Sequence, residues 1–233
     1  MTEEDHALRE RLALACQVLS HQGHDHFHLG HVSARASPGE AAWVKPAGLG
    51  LGEVHATDVV LMDLDGQRLR GERPLHNEMP IHTELYRRRS DVGAVVHTHA
   101  FYAAALSATD ARFALVSQDS ILFARGVGRY ASAELVATRE QGQRLADALG
   151  ECRVVLLKNH GLAAVGASVE EATVYAVSLE RSCRLQLAAA QLGRLAPIAP
   201  EEAERMLASF GDSPTRTQAL WSYLVRALPR RPT

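Results

Sequence analysis

Val92-Gly93-Ala94-Val95-Val96-His97-Thr98-His99 is an apolar, β-branched run that ends in two histidines one residue apart. In an extended strand successive side chains alternate between faces, so His97 and His99 project to one side and Thr98 to the other. Two neutral imidazoles at that spacing can share one metal ion, and a strand end beside a loop leaves the ion open to a substrate. The pattern is weak by itself, because 12 histidines in 233 residues give about 0.6 His-x-His pairs by chance. A third ligand and a carboxylate elsewhere in the chain are needed before it carries weight.

Outside this run, the bulk properties narrow the possibilities. A chain of 233 residues with 46% hydrophobic content suits one large domain with a sizeable core, read here as residues 1–233 with a helical tail from about 198. A formal net charge of −2 argues against a nucleic acid or an anionic membrane as partner. No apolar run approaches the roughly 18–20 residues of a membrane span. Met1-Thr2-Glu3-Glu4-Asp5 is acidic and lacks the basic start and apolar core of a signal peptide. Cys16, Cys152 and Cys183 are far apart and odd in number, which reads as reduced, mostly buried thiols of a cytoplasmic protein.

Taken in order, residues 3–22 form an amphipathic helix with Leu8, Leu12, Ala15 and Leu19 on one face, stopped by Gly23. The tract His21 to His31 holds five of the twelve histidines. Such a tract can bind metal alone, but no strand or helix fixes its ligands, so it reads as a loop with one or two histidines facing a site. Strands are expected at about 30–35, 42–45, 58–63 and 67–70, the last two joined by a turn at Asp65-Gly66. A helix over residues 76–89, the strand 92–97 and a helix over 99–108 follow. Residues 113–130 are less readable. A helix over 132–149 carries Leu135, Val136, Leu145 and Leu149, and leads to strands at 153–157 and 162–165. Ser168-x-x-Glu171 opens a long helix to about 192. On it Tyr175, Arg181 and Arg184 suit either an interface or plain surface. Two further helices lie within 200–228, with Trp221 and Tyr223 either packed or folded over a neighbouring site, and Arg230-Arg231 form a basic end. Short strands mixed with helices at irregular intervals indicate an α/β domain with a mixed sheet.

Gly48-x-Gly50-x-Gly52 does not fit the dinucleotide fingerprint, and Walker and Gly-x-Ser-x-Gly motifs are absent, which argues against nucleotide and serine-nucleophile chemistry. Lys158-Asn159-His160-Gly161, just beyond an apolar strand, is placed to project His160 from the sheet edge. With His97 and His99 it makes a three-histidine set that leaves an open metal position. Glu78 is the candidate carboxylate, one helical turn from His82.

The order Gly30-His31-Val32-Ser33-Ala34-Arg35, Lys45-Pro46-Ala47-Gly48, Glu78, His97-Thr98-His99 and Asn159-His160-Gly161 resembles the class II aldolase/adducin-head family over roughly residues 8–195. The resemblance implies a three-layer α/β/α fold around a mostly antiparallel sheet. It also implies one divalent metal per subunit on His97, His99, His160 and Glu78, with Glu78 as acid/base. Zn²⁺ suits this donor set best, with Mn²⁺, Co²⁺ and Fe²⁺ open. A homotetramer with sites near subunit interfaces and a small-molecule substrate is implied as well.

The chain departs from the family's sugar-phosphate aldolases where they cradle phosphate with small polar side chains. Those positions here are His31, Ala47, and His76 with Asn77. A phosphate dianion calls for a nest of donors, so the cup looks dismantled. What stands near the site, Arg35, Lys45, His31, His76, Asn77 and Ser33, suits carboxylates on a broader, flatter substrate. The Gly-His-Val-Ser start is similar to that of the family's metal-dependent decarboxylases of hydroxylated aromatic dicarboxylates. The expectation is therefore a carboxy-lyase of aromatic catabolism. In it Arg35 and Lys45 hold a second carboxylate, and Glu78 or His31 delivers the proton. A retro-aldolase on a non-phosphorylated substrate, or a non-catalytic adducin-like assembly module, is the alternative.

Overall fold

A computed structural model describes residues 2–211 and 213–229; the expected basic end at Arg230-Arg231 lies outside them. The run around Val95 becomes β5 (Ala94–Thr98), a fully buried central strand. It pairs antiparallel with β1 (His31–Ala36) on one side and with β8 (Gly161–Gly166) on the other. Beyond β1 lie β2 (Ala41–Val44), β3 (Val60–Asp63) and β4 (Arg68–Arg70), and beyond β8 lie β7 (Val154–Leu157) and β6 (Gly128–Tyr130). The eight strands run β4-β3-β2-β1-β5-β8-β7-β6. Every pairing is antiparallel except β6 with β7.

Both faces of this sheet are covered, as the apolar character of its central strands requires. Val32, Ala34, Ala94, Val96, Leu156, Leu162 and Ala164 point to one core. That core is closed by α1 (Glu3–His21), α3 (Phe101–Ser107), α5 (Val169–Leu192) and α7 (Pro214–Arg226). Val95, Val155, Leu157, Ala163 and Val165 point to the second core, under α2 (Met79–Arg88) and α4 (Arg139–Leu149). The result is an α/β/α arrangement around one mostly antiparallel sheet. A short α6 (Pro200–Met206) precedes α7, whose Trp221 and Leu224 are buried in the first core, while Tyr223 is exposed. Tyr175 is core, not surface or interface, at 1% exposure.

Two expected helices begin later than their apolar patterns suggest. The helix placed at 132–149 starts at Arg139, where Thr138 and Gln141 form a reciprocal capping box; residues 131–138 are irregular, because this cap satisfies the first amides of the helix there. The helix placed at 76–89 starts at Met79, with Pro80 in its first turn and Glu78 at its N-cap. Proline tolerates only the first turn of a helix, since it lacks an N–H and crowds the preceding turn. Both shifts alter the surroundings of Glu78.

Candidate metal centre

The alternation of β5 sends His97 toward the second core side of the sheet end and Thr98 to the opposite side, where Thr98 Oγ1 lies 2.8 Å from Nδ1 of His24. His99 follows the strand, and its Nε2 stands 3.2 Å from Nε2 of His97. His160 arrives from the turn between β7 and β8. Asn159 takes the left-handed conformation there at φ 55°, which asparagine tolerates better than most side chains. Gly161 then starts β8 directly against the end of β5, and a Cβ at this position would come within 2.3 Å of the Thr98 carbonyl oxygen. Glu78 comes from across the sheet. Its Oε2 is 3.7 Å from Nε2 of both His97 and His160, and its Oε1 accepts the backbone N–H of Val136 at 3.3 Å.

One donor atom from each of Glu78, His97, His99 and His160 therefore lies within 4.8 Å of the others. Donors about 2.1 Å from a tetrahedral ion sit about 3.4 Å apart, and three of the separations, 3.2 Å between His97 and His99 and 3.7 Å from Glu78 to His97 and to His160, lie close to that value. Protonation agrees with the geometry. Burial, reinforced by the neighbouring imidazoles, holds His97 well below the ordinary histidine value, His99 at about 4, and His160 below it. All three rings are neutral at pH 7, with lone pairs available. Burial also pushes the Glu78 carboxyl up to about 7, against the opposing hydrogen bond from Val136. Its nearest polar groups at the cluster are uncharged rings. These four residues could hold a divalent cation.

Beside the cluster runs a second polar assembly. The His31 ring packs 4.8 Å from that of His97 and 4.7 Å from that of His76. Nδ1 of His31 is 2.6 Å from Nε2 of His82, whose Nδ1 is 2.6 Å from Ser33 Oγ, which in turn is 2.7 Å from the Tyr86 hydroxyl. These four side chains are 0–2% exposed. His82 thus turns to His31 and Ser33 and does not join Glu78 at the cluster. Burial keeps His31 well below its ordinary value and His82 at about 3, so both rings are neutral. Lys45 lies behind His76. Its ammonium donates to the carbonyls of His28 and Pro46 at 3.2 Å each and lies 3.3 Å from Nε2 of His76. Burial lowers its pKa to about 8. His76, held at about 4 by burial and then by Lys45, is half-buried, and Asn77 is exposed.

Arg35 corrects the expectation placed on it. Its guanidinium donates to the carbonyls of Val92, Gly39, Tyr86 and Arg89 and stacks 4.7 Å over the Tyr86 ring. It sits at the far end of β1 from His31, two pleats away on the same face, and ties strand and loops together instead of facing the cluster. Sequence reasoning missed the Val136 amide, which no side-chain pattern marks. The expectation that one or two histidines of the 21–31 tract face the site did not say which; His26 is one of them, with its Nδ1 2.9 Å from Nδ1 of His99.

Comparison with known proteins agrees with this architecture. Residues 10–187 match the family described as the class II aldolase and adducin N-terminal domain. The chain is 36% identical over 229 residues to a 3,4-dihydroxyphthalate decarboxylase of Arthrobacter keyseri, covering 92% of this chain and 91% of that protein. It is 34% identical to a protein of the same name from Terrabacter sp., covering 88% of this chain and 90% of that one. Among solved structures, L-fuculose 1-phosphate aldolase from Glaciozyma antarctica superposes with a TM-score of 0.87 at 27% identity, covering 97% of this chain and 89% of the other.

Proposed function

The chain belongs to the class II aldolase and adducin N-terminal domain family, whose members similar to it include lyases, and we propose that it decarboxylates a hydroxylated aromatic dicarboxylate of the dihydroxyphthalate or hydroxypyridine type. The observation that carries this reading is the wall beside the cluster. Flat, neutral His31 and His76 rings, backed by the Lys45 ammonium, run up to His97. Such a wall matches a planar ring bearing a carboxylate better than a phosphate, which calls for a tight nest of N–H and O–H donors. The similarity to two proteins named 3,4-dihydroxyphthalate decarboxylase supports the same assignment.

Glu78, His97, His99 and His160 would hold the ion, and Zn²⁺ suits three imidazoles and a carboxylate. A divalent ion bound there supplies Lewis-acid stabilisation of the negative charge that builds on a substrate oxygen beside the breaking bond. The chain's own residues do the rest. His76, half-buried, packs the ring with the buried His31 beside it, and Lys45 places positive charge behind His76 to favour a second carboxylate. The bond to the departing carboxyl carbon breaks, carbon dioxide leaves, and the electron pair stays on the ring carbon. The proton that quenches this carbanion would come from the Glu78 carboxyl, freed from the ion when the substrate takes its place there; burial raises this group to about 7, a value suited to proton transfer near neutrality. Glu78 fits this role better than His31, which is neutral and already engaged with His82. The enzyme would work in the cytoplasm as a homotetramer on a small-molecule substrate.

The test is carbon dioxide release from ortho-hydroxy aromatic dicarboxylates, 3,4-dihydroxyphthalate first, with and without a chelator. Release that the chelator abolishes, and that Glu78→Gln lowers by about 10²-fold or more, is the expected result. Retro-aldol cleavage of a hydroxy-carbonyl substrate without any carbon dioxide would establish the aldolase reading, which the likeness to L-fuculose 1-phosphate aldolase favours as the second choice. A purified chain that binds no metal would leave the assembly-module reading in place of both.

A further inference from the structure

We infer that His26 is a positioning residue of the metal centre: it accepts the Nδ1–H of His99 and so directs the Nε2 lone pair of His99 toward the ion. The inference rests on the metal-binding reading proposed above. The atoms that converge at the cluster are Nε2 of His97, His99 and His160. A neutral imidazole that offers Nε2 to a cation carries its proton on Nδ1, and that N–H needs an acceptor to hold tautomer and ring angle. For His97 the acceptor is a backbone oxygen, the Leu162 carbonyl 2.9 Å from Nδ1. For His99 it is Nδ1 of His26, at 2.9 Å, with the two rings 5.1 Å apart and tilted by 60°. The proton of His26 then lies on its Nε2.

Although His26 is solvent-exposed, the loop that carries it is docked on both sides. His24, two residues earlier, is buried with its Nδ1 on Thr98 Oγ1. After it, Leu29 N–H closes back on the His26 carbonyl at 3.0 Å. Gly30, at φ 81°, lies so near the strand that a Cβ would meet the His97 carbonyl oxygen at 3.4 Å. The loop therefore grips the end of β5 through residues 24 to 30 and presents His26 to His99. A side-chain acceptor, unlike the carbonyl that serves His97, can be removed by substitution.

Two substitutions discriminate by geometry. Oδ1 of asparagine occupies nearly the position of histidine Nδ1 and can accept the same proton, whereas glutamine places its oxygen nearer the position of Nε2. Zn²⁺ dissociation constants would be measured by competition with a chromophoric chelator on the full chain, together with the visible Co²⁺ spectrum and the melting temperature of the metal-free chain. His26→Ala and His26→Gln should each weaken binding about 10- to 100-fold and shift the Co²⁺ bands. His26→Asn should restore most of the affinity, and all three should melt like the parent when metal-free. An unchanged dissociation constant and Co²⁺ spectrum in His26→Ala, with a tightly binding parent, would overturn the inference alone, as would asparagine and glutamine behaving alike. A parent that binds neither ion would overturn the metal reading and this inference with it.

Discussion

At the scale of the residue, the contrast between Arg35 and Glu78 shows how the neighbourhood decides a charged side chain's role. Arg35 has four carbonyl partners and an aromatic face. Arg35→Ala should therefore lower stability by about 2–4 kcal/mol through stranded carbonyls while leaving the Zn²⁺ dissociation constant unchanged, measured by denaturant unfolding and chelator competition. Lysine should rescue poorly, because a point charge cannot serve four acceptors in a fork. Intact stability with a raised KM would instead make Arg35 a substrate ligand. Glu78 is the opposite case. Among the described residues no cationic side chain keeps it ionised, so burial decides its titration.

The decisive elements are the strand ends and the turn between β7 and β8. Gly161 has no room for a side chain, with the Thr98 oxygen 2.3 Å from a built Cβ and the His99 Cα 3.0 Å away. Gly161→Ala must push β8 off β5, where His97, His99 and His160 meet. It should lose about 1–3 kcal/mol, equivalent to a fall of roughly 2–4 °C in Tm per kcal/mol for a chain of this size. Metal affinity should fall disproportionately, which calorimetry of the metal-loaded and metal-free chain would reveal. The start of α4 matters similarly. Because the Thr138 and Gln141 box delays that helix to Arg139, the preceding irregular segment is free to offer the Val136 amide to Glu78.

For the whole molecule, the number of buried imidazoles predicts acid lability. His24, His31, His76, His82, His97, His99 and His160 all have lowered pKa values, with burial the leading cause. The unfolded chain takes up their protons near pH 6.5 and the folded chain does not. Stability is thus complete above that pH and is lost as the pH falls through the acid range. Glu78 acts with the opposite sign. Raised to about 7, it weakens the fold as pH climbs from about 4.5 to 7. Glu180, also raised by burial, acts the same way as Glu78, but seven groups outweigh two, so the melting temperature of the chelator-treated chain should hold near neutrality and drop steeply between about pH 6.5 and 5, followed by circular dichroism. A melting temperature flat to pH 5 would mean that these rings titrate freely in the fold.

Much of this organisation is written along the chain. The β-branched run at 92–97 has to be a buried strand, and its period of two places His97 and His99 together with no help from the rest of the protein. The alternating helices and short strands carry the layered α/β architecture, and the order of His31, Glu78, His97, His99 and His160 carries the family. Those features are local, or depend on order alone. Tertiary structure decided what order cannot encode: that Arg35 faces carbonyls, that Lys45 stands behind His76, and that His82 turns to Ser33 instead of Glu78. It also decided that a loop histidine, His26, meets His99 across 73 residues of chain. The reason is physical. Hydrogen-bond partners and burial are set by segments brought together from across the sheet, and a side chain's neighbours, more than its chemical type, determine its tautomer, its charge and its role.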